Sequence, residues 1–158
     1  MNRIKVLDYY GNKAILDLAK TAFLCSRTIP ASAVLKCYDW AIAQRETGKC
    51  VISGFQSKIE KDVFHYLIQG SQPIIVALAR GLKQKTEPDL VKAILENRLL
   101  IITPFEKDVQ RVTSETAETR NRLMVEHAEE IVFGYMSKGG QLEKLHSEYQ
   151  GRKKFIIL

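Results

Sequence analysis

Four short stretches carry side chains suited to holding phosphate. Ser53-Gly54 closes an apolar run, Cys50 to Ile52, and is followed by Ser57 and, three residues on, Glu60. That spacing is a capping box, so a helix is predicted to start at Lys58 with Ile59, Val63 and Leu67 on its buried stripe. A helix start directly after a strand presents unpaired N–H groups and the positive end of the helix dipole, a setting in which phosphate binds well. Gly54 reads as the residue free to take positive φ at the turn. An ordinary strand-to-helix turn needs the same residues, so this stretch decides nothing alone. The other stretches are Ser26-Arg27, Arg120-Asn121-Arg122 and Lys138-Gly139-Gly140, with Arg80 on a further turn.

Arg27, Lys58, Arg80, Arg120, Arg122 and Lys138 all fall in or beside predicted turns, and 24 Lys and Arg against 18 Asp and Glu leave the chain at +6. A rim of that sign attracts polyanions or phosphorylated ligands. Arg120 and Arg122 lie about 200° apart around a helix, so one phosphate cannot engage both through the same face. Asn121 shares the apolar stripe of Ala117, Met124 and Ala128, where its amide can tie loops together. His65, His127 and His146 have no nucleophile or metal partner at a readable spacing, and no chemistry is assigned to them. Cys25, Cys37 and Cys50 are an odd number without a Cys-x-x-Cys pair, which argues against a disulfide framework and a zinc site. A reducing cytoplasm fits this cysteine use, and no cofactor is indicated. No apolar run reaches the roughly 18 to 20 residues that cross a bilayer, and the amino terminus shows no signal-peptide pattern.

Six apolar runs must position these groups: Thr21 to Cys25, Cys50 to Ile52, Pro73 to Leu78, Leu99 to Thr103, Ile131 to Tyr135 and Phe155 to Leu158. Ahead of them Ile4 to Tyr10 alternates loosely as a strand, and Gly11-Asn12 breaks it before a short helical segment. Between the runs lie helix-length segments: Ser32 to Thr47 with Gly48 as its stop, the segment from Lys58, one opened by Pro88-Asp89, one carrying Asn121, and one with Leu142, Leu145 and Tyr149. Glu106 to Thr116 reads as polar, unpatterned and mobile. Runs that are apolar almost throughout are what strands covered on both faces look like. The expected fold is a three-layer α/β/α Rossmann-like sandwich with a mostly parallel sheet of six or seven strands, one domain over residues 1–158. In such sheets ligands bind beyond the carboxyl ends of the strands, where the chain order reverses.

Several of these stretches resemble the Rossmann-like core of the DNA-processing protein A family (DprA, also called Smf), in the wider group that includes Lonely Guy phosphoribohydrolases. Val6 to Arg27 is similar to the family's entry strand and the first core strand ending in Gly-Ser-Arg, with Cys25 in place of the glycine. Ser53-Gly54 with Ile59-Glu60 resembles the SGxxxGID turn, Lys58 standing where the second glycine would be. Gly70 to Leu82, the Arg120-Asn121-Arg122 triplet, Ser137 to Leu142 and Gly151-Arg152 resemble further segments in order. The resemblance implies a basic groove that binds single-stranded DNA, in DNA processing or recombination. Ser26, Arg27, Ser53, Gly54, Lys58, Arg80, Arg120, Asn121, Arg122, Lys138, Gly139 and Gly140 are its expected contacts. The length leaves no room for the helical domains often joined to that core, so recombinase loading is not carried over. Relatives of this kind often pair through the sheet edge or flanking helices, which makes a homodimer an open expectation.

Two other readings stand beside DNA binding. Arg120 to Met124 and Gly139-Gly140 with Glu143 are similar to the Lonely Guy segments that hold a nucleoside monophosphate and cleave its N-glycosidic bond, with Arg120 and Glu143 as the reacting pair. The proline and the Gly-Thr of that turn are missing here, which ranks this nucleotide-like ligand second. The third reading is a ligand sensor that keeps the fold without catalysis.

Overall fold

Successive residues of a strand face opposite ways, so a run that is apolar at every position needs helices on both sides. The computed structural model describes residues 3–158; Met1 and Asn2, the first residues of the expected domain, lie outside the described residues. The six runs form strands β2 (Lys20–Cys25), β3 (Cys50–Ser53), β4 (Ile74–Ala77), β5 (Leu99–Thr103), β6 (Glu130–Tyr135) and β7 (Lys154–Ile157). A seventh strand, β1 (Asp8–Gly11), pairs antiparallel with β5, Tyr9 opposite Ile102, and the sheet order is β1-β5-β4-β3-β2-β6-β7. All the other pairings are parallel. The entry strand therefore begins at Asp8 and not at Ile4. Of the residues before it, Leu7 donates its N–H to Thr103 (2.8 Å) and Ile4 donates instead to the Glu126 carboxylate (3.3 Å).

The helices are α1 (Ala31–Thr47), α2 (Lys58–Ile68), α3 (Pro88–Leu95), α4 (Ser114–His127) and α5 (Gln141–Tyr149), with a 3-10 turn at Lys13–Asp17. Phe23, Val51, Ile74, Val76 and Ile101 join one buried cluster with residues of α1, α2 and α3. Their strand neighbours Leu24, Ile52, Ile75, Leu100 and Phe133 join another with α4, α5 and Ile15 of the 3-10 turn. This one-residue alternation makes the three layers. Pro88 opens α3, Gly48 at φ 70 closes α1, and the Ser57–Glu60 capping box opens α2. Helix α4 begins at Ser114, inside the stretch that reads as unpatterned. Thr113 and Thr116 cap each other, Thr113 Oγ1 accepting from Thr116 N–H at 3.1 Å and Thr116 Oγ1 from Thr113 N–H at 2.8 Å. A threonine in place of the usual Glu or Gln at that position hides the signal.

His127, at the end of α4, donates from Nε2 to the Ile4 carbonyl at 2.9 Å and so ties down the entry segment. Burial pushes its pKa below the usual histidine value, against the smaller upward effect of that hydrogen bond. A ring whose folded pKa lies below its unfolded value contributes stability that is complete above about pH 6.5 and is lost as pH falls through the folded pKa. The unfolding midpoint is therefore expected to drop as pH is lowered from 7 toward 5. Thermal melts of His127→Gln across that range should show a flatter profile.

Candidate functional site

From β2 the chain steps through β3 and β4 to β5 on one side, then crosses back over α4 to β6 on the other. The loops after β2 and β6 therefore leave the sheet in opposite directions from adjacent strands. They are stitched together there. Ser26 N–H donates to Tyr135 O (2.9 Å), Ser137 N–H to Ser26 Oγ (2.9 Å), and Ser137 Oγ–H to Thr28 O (3.3 Å). The open space lies in front of this seam, as a cleft of about 600 Å³. Ser26 and Arg27 form one wall, Gln56 and Ser57 another, Thr113 and Ser114 a third. Gln141 and Leu142, at the start of α5, complete it, with Arg120 and Asn121 also lining the space.

Arg120 is only 6% exposed. Its Nε donates to Asn121 Oδ1 (2.9 Å), its Nη1 to Ala77 O (3.2 Å) and its Nη2 to Gln56 Oε1 (3.3 Å). Helix α4, the end of β4 and the β3–α2 turn are thereby joined through one guanidinium. Burial lowers its pKa, and the charge of nearby Glu60 works the other way; an arginine stays protonated in either case. Gly54 makes the room. A Cβ there would overlap Arg120 Nη1. The positive φ of this turn belongs to Phe55 (47°), so the requirement for glycine at 54 is space and not the backbone angle expected from the sequence.

At two of the helix starts around the cleft, those of α2 and α4, the first N–H groups are taken by the chain's own capping side chains, whereas α5 starts after Gly140 without a side-chain cap. The Glu60 carboxylate accepts from the N–H groups of Gln56 (3.0 Å) and Ser57 (3.2 Å), in the place where the sequence leads one to expect phosphate. Glu143 turns back to accept from Gly139 N–H (3.1 Å) and is not among the residues lining the cleft. Ser53 is fully buried, its Oγ accepting from Phe55 N–H at 3.3 Å.

The structure thus brings Ser26, Arg27, Arg120 and Asn121 into one cleft. Gly54 stands behind it, and Lys138, Gly139 and Gly140 sit on the turn leading into α5, next to the cleft but not among the residues lining it. Three expected contacts point elsewhere. Arg122 lies across the helix, paired with Glu118 (3.1 Å) and Glu148 (2.8 Å), and these carboxylates hold its pKa up. Lys58 runs along α2 to Asp62 (3.1 Å), which also accepts from Tyr38 Oη. Arg80 opens on a separate cavity, because Gly81 N–H donates to Val109 O (2.8 Å) and draws the loop after β4 toward residues 106–109. Gln56, Thr113, Ser114 and Gln141 are cleft residues that the sequence does not single out. Among the described residues, no three His, Cys, Asp or Glu side chains group as a metal site, and no helix is long and apolar enough to cross a membrane.

Residues 2–157 match the family model for DNA recombination-mediator protein A. The chain belongs to that family. Comparison with curated proteins gives no match. Among solved structures, this recombination-mediator family member is similar to DNA processing protein A from Helicobacter pylori, which binds single-stranded DNA. The TM-score is 0.72 at 18% identity, over 94% of this chain and 69% of that one. It is also similar to DNA processing protein A from Streptococcus pneumoniae (TM-score 0.63, 16% identity, 94% of this chain and 62% of that one). A molybdenum cofactor binding protein from Rippkaea orientalis shares the fold (TM-score 0.61, 10% identity, 89% of this chain and 76% of that one). The seven-stranded, mostly parallel architecture is common ground with the DNA processing proteins. Beside Cys25, Gly134 on β6 leaves room for its neighbours: a Cβ there would lie 2.6 Å from Cys37 Sγ, 2.9 Å from Phe23 Cζ and 3.2 Å from Cys25 Sγ.

Proposed function

We propose that this chain binds single-stranded DNA along the carboxyl edge of its sheet, the backbone crossing the cleft beneath Arg27. The carrying observation is the contrast between filled anion seats and free cations. Backbone N–H groups at the β3–α2 turn and at Gly139 already hold Glu60 and Glu143, so at the cleft the main chain offers a phosphate only the uncapped start of α5. Arg27 and Lys138 are exposed and enter none of the ion pairs among the described residues. Separate cations along a lip suit a polyanion held by side chains better than one phosphate gripped by the main chain. Family membership and the DNA processing proteins of the same fold support the same reading.

The nucleotide-hydrolase reading needs a carboxylate beside a bound ribose. Glu143 is committed to Gly139, and Glu60 to two N–H groups, so the geometry favours binding. Pairing of two copies would have the outer edge of β7, with Ile157 exposed, to use.

Titrations of a fluorescent thymidine oligonucleotide and of a nucleoside monophosphate at two salt concentrations, followed by product analysis, test this function. Saturable oligonucleotide binding whose logarithm falls with log salt at about −0.7 per phosphate engaged is expected. Release of free base from the nucleotide, without salt-sensitive strand binding, would overturn it.

A further inference from the structure

A second cavity, of about 380 Å³, opens on the same edge of the sheet between the ends of β4 and β5 and the helices α2 and α3. Its interior is apolar, made chiefly by Phe55, Phe64, Leu78 and Leu82, and its mouth carries Lys61, Arg80, Lys83 and Lys85 against one carboxylate, Glu87. Phe55 and Phe64 meet edge to face with ring centroids 4.9 Å apart, and Phe64 is half-buried. None of the three lysines takes part in an ion pair among the described residues. The Arg80 guanidinium reaches only the carbonyl of Gly81, at 3.1 Å. An apolar, aromatic interior under a cationic mouth selects a flat hydrophobic body joined to an anion, and the volume falls in the range of small-ligand sites.

We propose that this cavity is a second nucleotide site, taking the base against Phe64 and its phosphate on Lys83 and Lys85. This second site rests on the strand-binding function in one respect, the continuity of the two spaces. Gly54 and Phe55 line this cavity while Gln56 and Ser57 line the cleft, and Gly54 lies against the Arg120 guanidinium that also faces the cleft. Four consecutive residues span at most about 11 Å, so one strand can lie in the cleft and turn a base into the cavity. The same chemistry would also accept a free nucleotide. Burial lowers the Arg80 pKa, as expected of a cation held in a partly dry mouth without a carboxylate in contact.

The test compares a twelve-residue thymidine strand with an abasic strand of equal length and charge, and adds thymidine monophosphate as a third ligand. Wild-type protein should bind the thymidine strand about tenfold more tightly than the abasic one, on the scale of base–aromatic stacking. In Phe64→Ala that ratio should collapse to within about twofold. Irradiation of wild-type protein with a 5-iodouracil strand, which needs no substitution, should crosslink to Phe55 or Phe64. Equal binding of both strands, or a ratio and crosslinks indifferent to this cavity, overturns the second site and leaves the cleft reading standing. Binding of the monophosphate without either strand, lost in Phe64→Ala and in Lys83→Glu with Lys85→Glu, keeps the site for a free nucleotide and removes the strand. Binding of none of the three ligands removes both.

Discussion

Arg27→Glu is expected to lower the affinity for a thymidine oligonucleotide by at least about tenfold at low salt, and to reduce the salt slope by about 0.7 for each phosphate no longer neutralised. The side chain stands exposed on the wall of the cleft and is tied to no carboxylate, so reversal removes an attraction for phosphate and adds repulsion without disturbing packing. The control is Arg122→Glu, which makes the same change of charge on the far side of α4. There the guanidinium is already neutralised by Glu118 and Glu148. It does not line the cleft and its charge is already matched by two carboxylates, so the affinity should change by less than about threefold at physiological ionic strength. Equal losses in the two variants would mean that net charge and not place governs binding. Anisotropy titrations of both, at low and at physiological salt, separate the two cases.

Arg120→Ala is expected to cost about 3 kcal/mol of stability, or on the order of 10 °C in the unfolding midpoint for a chain of this length. The guanidinium supplies Ala77 O, Asn121 Oδ1 and Gln56 Oε1 at once, and it is the cation beside Glu60, which is 8% exposed. Truncation leaves those acceptors unmatched inside the fold, where the penalty exceeds the net worth of the bonds themselves. Gly54→Ala should destabilise through the same group, by about 1–3 kcal/mol, because its Cβ would overlap Nη1. The two costs should not add. Once the guanidinium is gone the methyl group has room, so Gly54→Ala in the Arg120→Ala background should cost little. Additive melts would mean that Gly54 answers to something other than Arg120.

This double role of Arg120 shows where a sequence is legible and where it stops. Five strands can be read directly, because a run such as Pro73 to Leu78 is covered on both faces and has no polar position to confuse it. The run Phe155 to Leu158, expected to be covered likewise, is instead the edge strand β7, with Ile156 and Ile157 exposed. The start of α2 is equally plain, since Ser57 and Glu60 interact across three residues. The same motif misleads about the site: the Glu60 carboxylate that marks the helix also fills the seat predicted for phosphate. Arg122 is only half legible, because Glu118 lies one helical turn back but its second partner, Glu148, is 26 residues away on another helix. Arg80 depends on the path of a loop fixed by Gly81 and Val109, which no local pattern records. Strand β1 is readable as a strand but not as an antiparallel edge. Gln56, Thr113, Ser114 and Gln141 are ordinary turn residues whose meeting is purely tertiary.

The central claim is spatial: a single strand lies over the cleft framed by Arg27, Gln56, Ser114 and Gln141. An amide chemical-shift titration of isotope-labelled protein with a short thymidine oligonucleotide tests it most directly. Saturable shifts concentrated at the backbone amides of those four residues are predicted. Shifts confined to β1 and the outer face of α1, with the cleft amides unmoved, would contradict the account.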